Sequence, residues 1–110
     1  MDITTKIFVA DELPVIRFAI RNAFSGSAQY YIVSESEGTS NIIHLINEYK
    51  PNIVITDFTT STEKDRALLD YLNSRGISLL LFSLEEDWGK INEFINAGCA
   101  GFVSKKSPIS

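Results

Sequence analysis

The sequence predicts an α/β fold with a doubly wound, five-stranded parallel sheet, and two observations support this prediction. Short runs of apolar, often β-branched residues recur along the chain, and segments with the spacing of amphipathic helices separate them. The runs are continuously apolar rather than alternating, which is typical of parallel strands covered on both faces. Strands that alternate with helices favour right-handed crossovers and a parallel sheet.

Five apolar runs are the predicted strands, at positions 7–10, 30–33, 53–57, 79–83 and 101–105. Pro14 suits the first turn of the first helix. The acidic run at 85–87 suits the cap and first turn of the fourth helix, while Gly76 and Gly98 are placed to end the third and fourth helices. The apolar stripes of the four helices are Ile16, Ile20, Ala23 and Phe24; Ile42, Leu45, Ile46 and Tyr49; Leu68, Leu69 and Leu72; and Trp88, Ile91, Phe94 and Ile95.

The composition fits one compact domain of 110 residues that is 45% apolar. The formal net charge of −4 argues against nucleic-acid binding by this segment, which would need clustered Lys and Arg. A single cysteine, Cys99, cannot form an internal disulfide, and a packed or inert thiol is expected. Trp88 and Phe94 are separately expected to lie in the core. Because the chain lacks an apolar span and a signal peptide at its start, a cytoplasmic protein with no membrane contact is predicted.

Polar residues follow the predicted strands at the point where each strand ends. Asp11 and Glu12 follow strand one, Asp57 ends strand three, Ser83 ends strand four and Lys105 ends strand five. The carboxyl ends of parallel strands lie on one edge of a sheet, where ligands bind. Three carboxylates at one edge repel one another, and Mg²⁺ would relieve that repulsion. A lysine and a hydroxyl group would supply donors for a phosphoryl oxygen.

Three segments resemble the receiver domains of bacterial response regulators, most closely those joined to a LuxR-type helix-turn-helix domain. They are Ala-Asp-Glu-Leu-Pro at 10–14, Lys-Pro-Asn-Ile-Val-Ile-Thr-Asp at 50–57, and Ala-Gly-Cys-Ala-Gly-Phe-Val-Ser-Lys at 97–105. The resemblance covers nearly the whole chain and implies a flavodoxin-like fold. It further implies that residues 1–110 form a C-terminally short receiver domain, with the closing fifth helix and the DNA-binding domain absent from this chain.

The resemblance also implies a role for each residue of the site. Asp57 would accept a phosphoryl group from a sensor histidine kinase or a phosphotransfer protein. Asp11, Glu12, Asp57 and the backbone carbonyl of Thr59 would hold Mg²⁺, and Lys105 would pair with the acyl phosphate.

The expected response to phosphorylation is a conformational switch. Ser83 would bond a phosphoryl oxygen, and Phe102 would follow it inward as an aromatic rotamer switch. The chain would thereby regulate transcription through a missing LuxR-type domain, as a signalling domain and not an enzyme. Without a fifth helix, strands one and five would expose apolar surface, which predicts a homodimer or another form of self-association.

Two departures from the family keep other functions open. The loop after Asp57 contains neither Pro nor Gly between positions 59 and 64, and Glu12 stands where a second Asp is usual. The altered loop and the missing fifth helix motivate the alternative, a phosphorylation-independent pseudo-receiver that acts as a protein-interaction module. A hydrolase or nucleotide-binding enzyme is disfavoured, because the sequence contains neither a Gly-rich phosphate loop nor a nucleophile elbow.

Overall fold

The computed structural model describes residues 4–38, 42–57, 63–84 and 86–106, and within these ranges strands and helices alternate as the apolar pattern predicts. The strands form one five-stranded parallel sheet in the order β2-β1-β3-β4-β5. The predicted α/β fold is therefore confirmed. The strands are β1 (Thr5–Ala10), β2 (Tyr30–Ser36), β3 (Ile53–Thr56), β4 (Ser78–Ser83) and β5 (Gly101–Ser104), and the helices are α1 (Pro14–Phe24), α2 (Ile42–Tyr49), α3 (Glu63–Ser74) and α4 (Trp88–Asn96).

The chain divides into two compact units, Met1–Ile55 and Thr56–Ser110. In the first unit, Ile7, Phe8, Val9 and Ala10 of β1 are all buried, as expected for a strand covered on both faces. The prediction that strand one exposes apolar surface is therefore wrong. On β5, by contrast, Val103 is exposed.

A shift in register between β1 and β2 shapes the first unit. Ile7 pairs with Ile32, but Phe8 pairs with Ser34, so β2 carries one extra residue. Such a bulge re-aims the residues that follow it. Here it brings Ser36 opposite the last residue of β1, and the Ser36 carbonyl accepts the Asp11 N–H at 3.1 Å. The residue after β1 is thus tied to the end of β2.

In the second unit, α3 and α4 end in the same way. Gly76 and Gly98 have positive φ angles of 69° and 109°. The N–H of the residue after each glycine bonds back across the last turn, from Ile77 to Leu72 and from Cys99 to Phe94. This is the Schellman arrangement, for which glycine is favoured because it lacks a Cβ. Both predicted helix ends are confirmed.

At the beginning of α4, the structure confirms the predicted cap but contradicts the predicted burial of Trp88. Asp87 caps the helix as predicted, and its carboxylate accepts the N–H groups of Gly89 and Lys90. Phe94 is buried, but Trp88 is 68% exposed. Helical side chains lean toward the N-terminus, so the first residue of a helix points past its end rather than onto a packed turn.

None of the helices in the described part of the chain has the length and apolar character needed to cross a bilayer.

Candidate functional site

Asp57 and Lys105 form a largely buried ion pair. Asp57 comes directly after β3 and Lys105 directly after β5, and the Lys105 Nζ donates to Asp57 Oδ2 at 2.8 Å. The two side chains are 15% and 7% exposed. Charge-assisted hydrogen bonds shielded from water are among the strongest that proteins make. The structure therefore brings together two residues that the sequence places 48 positions apart.

The ladder between β4 and β5 positions Lys105. Ser83 pairs with Ser104, and the next N–H, that of Lys105, donates to the Ser83 carbonyl at 2.8 Å. The ladder thus continues one residue beyond β5 and sets the direction in which the lysine leaves the sheet. The ammonium also lies 5.7 Å from the centroid of the Phe82 ring, a cation–π contact. Phe82 was not predicted from the sequence, where its signal is an aromatic side chain next to the last residue of β4.

The second carboxylate oxygen of Asp57, Oδ1, differs from Oδ2 in its hydrogen bonding. Among the described residues, Asp57 Oδ1 is buried without a hydrogen-bond partner, a property that it shares with the Thr56 hydroxyl oxygen. Buried polar atoms nearly always have such a partner. A buried carboxylate oxygen of this kind suits a hard cation or an electrophilic phosphorus. The residues present at Asp57 therefore fit both the predicted phosphoryl group and the predicted Mg²⁺.

In the first unit, the turn between β1 and α1 carries the other two predicted carboxylates. Asp11 is buried, and its Oδ1 accepts the Leu13 N–H at 2.9 Å. Its backbone carbonyl accepts a hydrogen bond from Nη1 of Arg17 on α1. Glu12 is exposed. Arg17 was not predicted from the sequence, because the pattern of α1 shows only a polar residue beside its apolar stripe.

The predicted metal ligands belong to both units: Asp11 and Glu12 lie in the first unit, and Asp57 lies in the second. Among the described residues, no group of three or more His, Cys, Asp or Glu side chains is arranged to hold a metal ion. Thr59, whose carbonyl was the fourth predicted ligand, lies outside the described residues. Mg²⁺ commonly keeps several waters and takes only one or two carboxylates from the protein. Its binding by Asp11, Glu12 and Asp57 stays a prediction.

The two predicted switch residues lie on neighbouring strands. Ser83 is buried at the end of β4, and Phe102 is half-buried on β5, where it pairs in register with Leu81. Their roles as switch residues stay a prediction.

The Cys99 thiol and the Glu86 carboxylate, both in the second unit, have shifted pKa values. Burial raises the pKa of the Cys99 thiol, an effect that hydrogen bonds with the backbone partly offset. A hydrogen bond and the charge of Lys106 lower the pKa of the exposed Glu86 carboxylate. Cys99 is buried, as expected, and donates to the Leu79 carbonyl. A buried thiol with a raised pKa is a poor nucleophile, which agrees with the expected packed side chain.

The sequence profile of the response regulator receiver domain matches residues 7–110. The chain belongs to this family. Among curated proteins, this receiver domain is 26% identical over 102 residues to BvgA of Bordetella pertussis, which is named as a transcription regulator of virulence factors. The match covers 91% of the receiver domain and 48% of BvgA. The chain spans about half the length of the curated relatives it matches.

Solved structures agree with the fold of the receiver domain. The isolated receiver domain of RcsB from Salmonella enterica serovar Typhimurium, solved in the presence of the phosphomimetic BeF3⁻, superposes with a TM-score of 0.83 at 18% identity. This match covers 96% of the present chain and 80% of that one. The receiver domain of NarL from Mycobacterium tuberculosis gives a TM-score of 0.81 at 21% identity, covering 96% and 86% of the two chains.

Proposed function

We propose that the chain accepts a phosphoryl group on Asp57 and responds with a change of conformation. The observation that supports this most directly is the asymmetry of the Asp57 carboxylate. One oxygen is held by Lys105, and the other is buried without a partner among the described residues. A purely structural ion pair would be expected to satisfy both oxygens. Membership of the receiver family supplies the reaction class.

In the proposed reaction, Asp57 Oδ1 attacks the phosphorus of a phosphohistidine on a sensor kinase or a phosphotransfer protein. A bond from Asp57 to phosphorus forms as the phosphorus–nitrogen bond breaks, and the electron pair of that bond returns to the imidazole. Lys105 keeps its ammonium beside the carboxylate and stabilises the anionic phosphoryl oxygens. The chain contributes orientation and charge, so we regard it as a phosphorylated signalling protein rather than an enzyme.

Mg²⁺ would neutralise charge on the phosphoryl oxygens when bound. We propose that Asp11, Glu12, Asp57 and the Thr59 carbonyl hold it. Oxygen ligands are the type that Mg²⁺ prefers. The buried Asp57 Oδ1 supports this assignment, as does the buried Asp11 on its anchored turn.

Phosphorylation would then shift the population of two packings. We propose that the Ser83 hydroxyl donates to a phosphoryl oxygen and that Phe102 moves inward behind it. A new anion can bias such an equilibrium only if one packing binds it better than the other. The position of Ser83 at the end of β4 supports this role, because its carbonyl accepts the Lys105 N–H and the two backbones therefore lie side by side.

Incubation with a small acyl phosphate and Mg²⁺ tests the acceptor role. The intact mass should rise by one phosphoryl group, and hydroxylamine should remove that group. Asp57→Asn should abolish the adduct. Asp70→Asn, which changes an exposed carboxylate on α3, should leave it unchanged. An adduct that persists in Asp57→Asn, or no adduct with any donor, would overturn the proposal.

The cellular role that we propose follows from the relatives. BvgA is named as a transcription regulator, and we propose that this chain regulates transcription from the cytoplasm through a LuxR-type DNA-binding domain. The acidic receiver segment itself would bind neither nucleic acid nor membrane. We further propose self-association, which the exposed Val103 on β5 supports. Sedimentation at increasing protein concentration tests this, and a monomer at every concentration would contradict it.

The pseudo-receiver remains the second candidate, because the described residues contain no ready-made cluster of three metal-ligating side chains. It predicts that Mg²⁺ leaves the fluorescence of the exposed Trp88 unchanged. Saturable Mg²⁺ binding that disappears in Asp57→Ala would instead support the phosphorylatable receiver.

A further inference from the structure

Arg17 joins the turn that carries Asp11 and Glu12 to strand β2. Its Nη1 donates to the Asp11 backbone carbonyl, and its Nε lies 3.8 Å from Oε1 of Glu35 on β2. The Arg17 side chain is only 15% exposed. A guanidinium is planar, with its donors in a fixed fork. Because Arg17 contacts both Asp11 and Glu35, it should hold the Asp11 carbonyl in position more firmly than a flexible ammonium group would.

Glu35 also pairs with a second arginine. Arg21, one turn further along α1, reaches the other carboxylate oxygen of Glu35 at 3.2 Å. The Arg21 guanidinium also lies 5.7 Å from the centroid of the Phe18 ring. Arg21 is 54% exposed, so it has more freedom than Arg17. The two arginines therefore share one carboxylate. Among the described contacts, Arg17 is the one of the two that also donates a hydrogen bond to the turn.

The Asp11 residue is consequently fixed on three sides. Its N–H donates to the Ser36 carbonyl, its Oδ1 accepts the Leu13 N–H, and its carbonyl accepts from Arg17. The first bond comes from β2, the second from the turn and the third from α1. Removal of the Arg17 guanidinium would delete the hydrogen bond between α1 and the carbonyl of the peptide that links Asp11 to Glu12.

The charge of Glu35 decides how Arg17 can act. An isolated guanidinium beside a cation site would repel the cation, as like charges do. Glu35 places a negative charge beside Arg17, although it shares that charge with Arg21. The carboxylate therefore reduces the electrostatic penalty that Arg17 would impose on a metal bound at the turn.

We propose that Arg17 is a positioning residue that orients Asp11 and Glu12 for Mg²⁺, with Glu35 as its anchor. This inference rests on the proposed function, in which these carboxylates bind the metal. Residues that orient metal ligands typically contribute about 10- to 100-fold in metal affinity. Since Arg17 acts on the backbone rather than on a ligand atom, we expect the lower end of that range.

Titration calorimetry with Mg²⁺ on the folded chain, together with amide hydrogen exchange, tests the proposal. Arg17→Met keeps the length of the aliphatic chain and removes the guanidinium. It should weaken Mg²⁺ binding by about tenfold and, without metal, speed exchange of the Leu13 amide. Arg21→Met, the matched control, removes the other partner of Glu35 and should leave both quantities close to those of the unmodified chain.

The outcomes separate this inference from the function on which it rests. If the wild-type chain binds Mg²⁺ and Arg17→Met binds it with the same affinity, the positioning role alone is overturned. An absence of Mg²⁺ binding by the wild-type chain would overturn the metal site, and the positioning role with it. Should Arg17→Met fail to fold, Glu35→Gln serves instead. It should also weaken Mg²⁺ binding, because it frees Arg17 and leaves its charge uncompensated, and unchanged affinity in that variant would contradict the proposal.

Discussion

Replacement of Lys105 by methionine should destabilise the chain through Asp57. Methionine keeps an unbranched apolar side chain of similar length, so the substitution chiefly removes the ammonium. Asp57 is 15% exposed, its Oδ2 is bonded to Lys105, and its Oδ1 is buried without a partner among the described residues. In the variant, neither oxygen retains a hydrogen bond that the described structure provides.

The expected loss follows from the burial of the pair. Opposite charges about 4 Å apart attract by about 4 kcal/mol at an effective dielectric constant of about 20. Removal of one partner from a buried pair costs about 3–5 kcal/mol, because the other charge stays buried. Since Asp57 retains some contact with water, we expect the free energy of unfolding to fall by about 3 kcal/mol. For a domain of this size, the melting temperature should fall by about 10–20 °C.

Urea unfolding of a double-mutant cycle measures this interaction. Adding Asp57→Asn to Lys105→Met removes the uncompensated charge, so the double variant should be more stable than the sum of the single losses by about 2 kcal/mol. Lys106→Met is the matched control, because Lys106 pairs with Glu86 where both side chains are exposed, and the unfolding midpoint should hardly change. Strict additivity in the cycle, or equal effects at Lys105 and Lys106, would refute the reasoning.

Three further predictions concern the second unit. Gly98→Ala should lower the free energy of unfolding, measured by thermal unfolding, by about 2 kcal/mol. The reason is that φ is +109° and a Cβ would lie 2.3 Å from Nδ2 of Asn73. Gly26→Ala is the control and should be close to neutral, because the space around Gly26 is open. Asp87→Ala should cost about 1 kcal/mol through the loss of the α4 cap; an unchanged urea midpoint would contradict this. Burial raises the pKa of Cys99 in the folded state, so this thiol keeps its proton after the unfolded thiol ionises near pH 8.5. The difference in pKa therefore has no effect on stability below that pH and lowers the stability above it. Between pH 8 and pH 10, the Cys99→Ala variant should lose less stability than the wild-type chain. Equal losses would contradict the raised pKa of Cys99.

Local features of the sequence predicted most of the secondary structure. Gly76 and Gly98 ended their helices as expected, because a backbone with positive φ selects glycine whatever surrounds it. Asp87 capped α4 for an equally local reason, since its carboxylate needs only the first N–H groups of its own helix.

Predictions that depended on distant neighbours were less successful. The apolar stripe of α4 implied a buried Trp88, but the stripe does not show where the packed surface ends, and the ring is exposed. Exposed apolar surface on strand one was inferred from a missing helix, yet Ile7–Ala10 are buried. Burial depends on what covers a residue, and the covering residues are remote in sequence.

The sequence by itself determined the alternation of strands and helices and the position of Asp57 at the end of a strand, because both depend on short-range periodicity and chain order. The tertiary structure decided which partners the site residues have. Lys105 meets Asp57 across 48 positions, and Arg17 links Asp11 to a glutamate on another strand. These contacts depend on strand order, on the register of β4 with β5 and on a bulge in β2. Small shifts in any of these would move side chains by several ångströms, and no local pattern in the sequence specifies them.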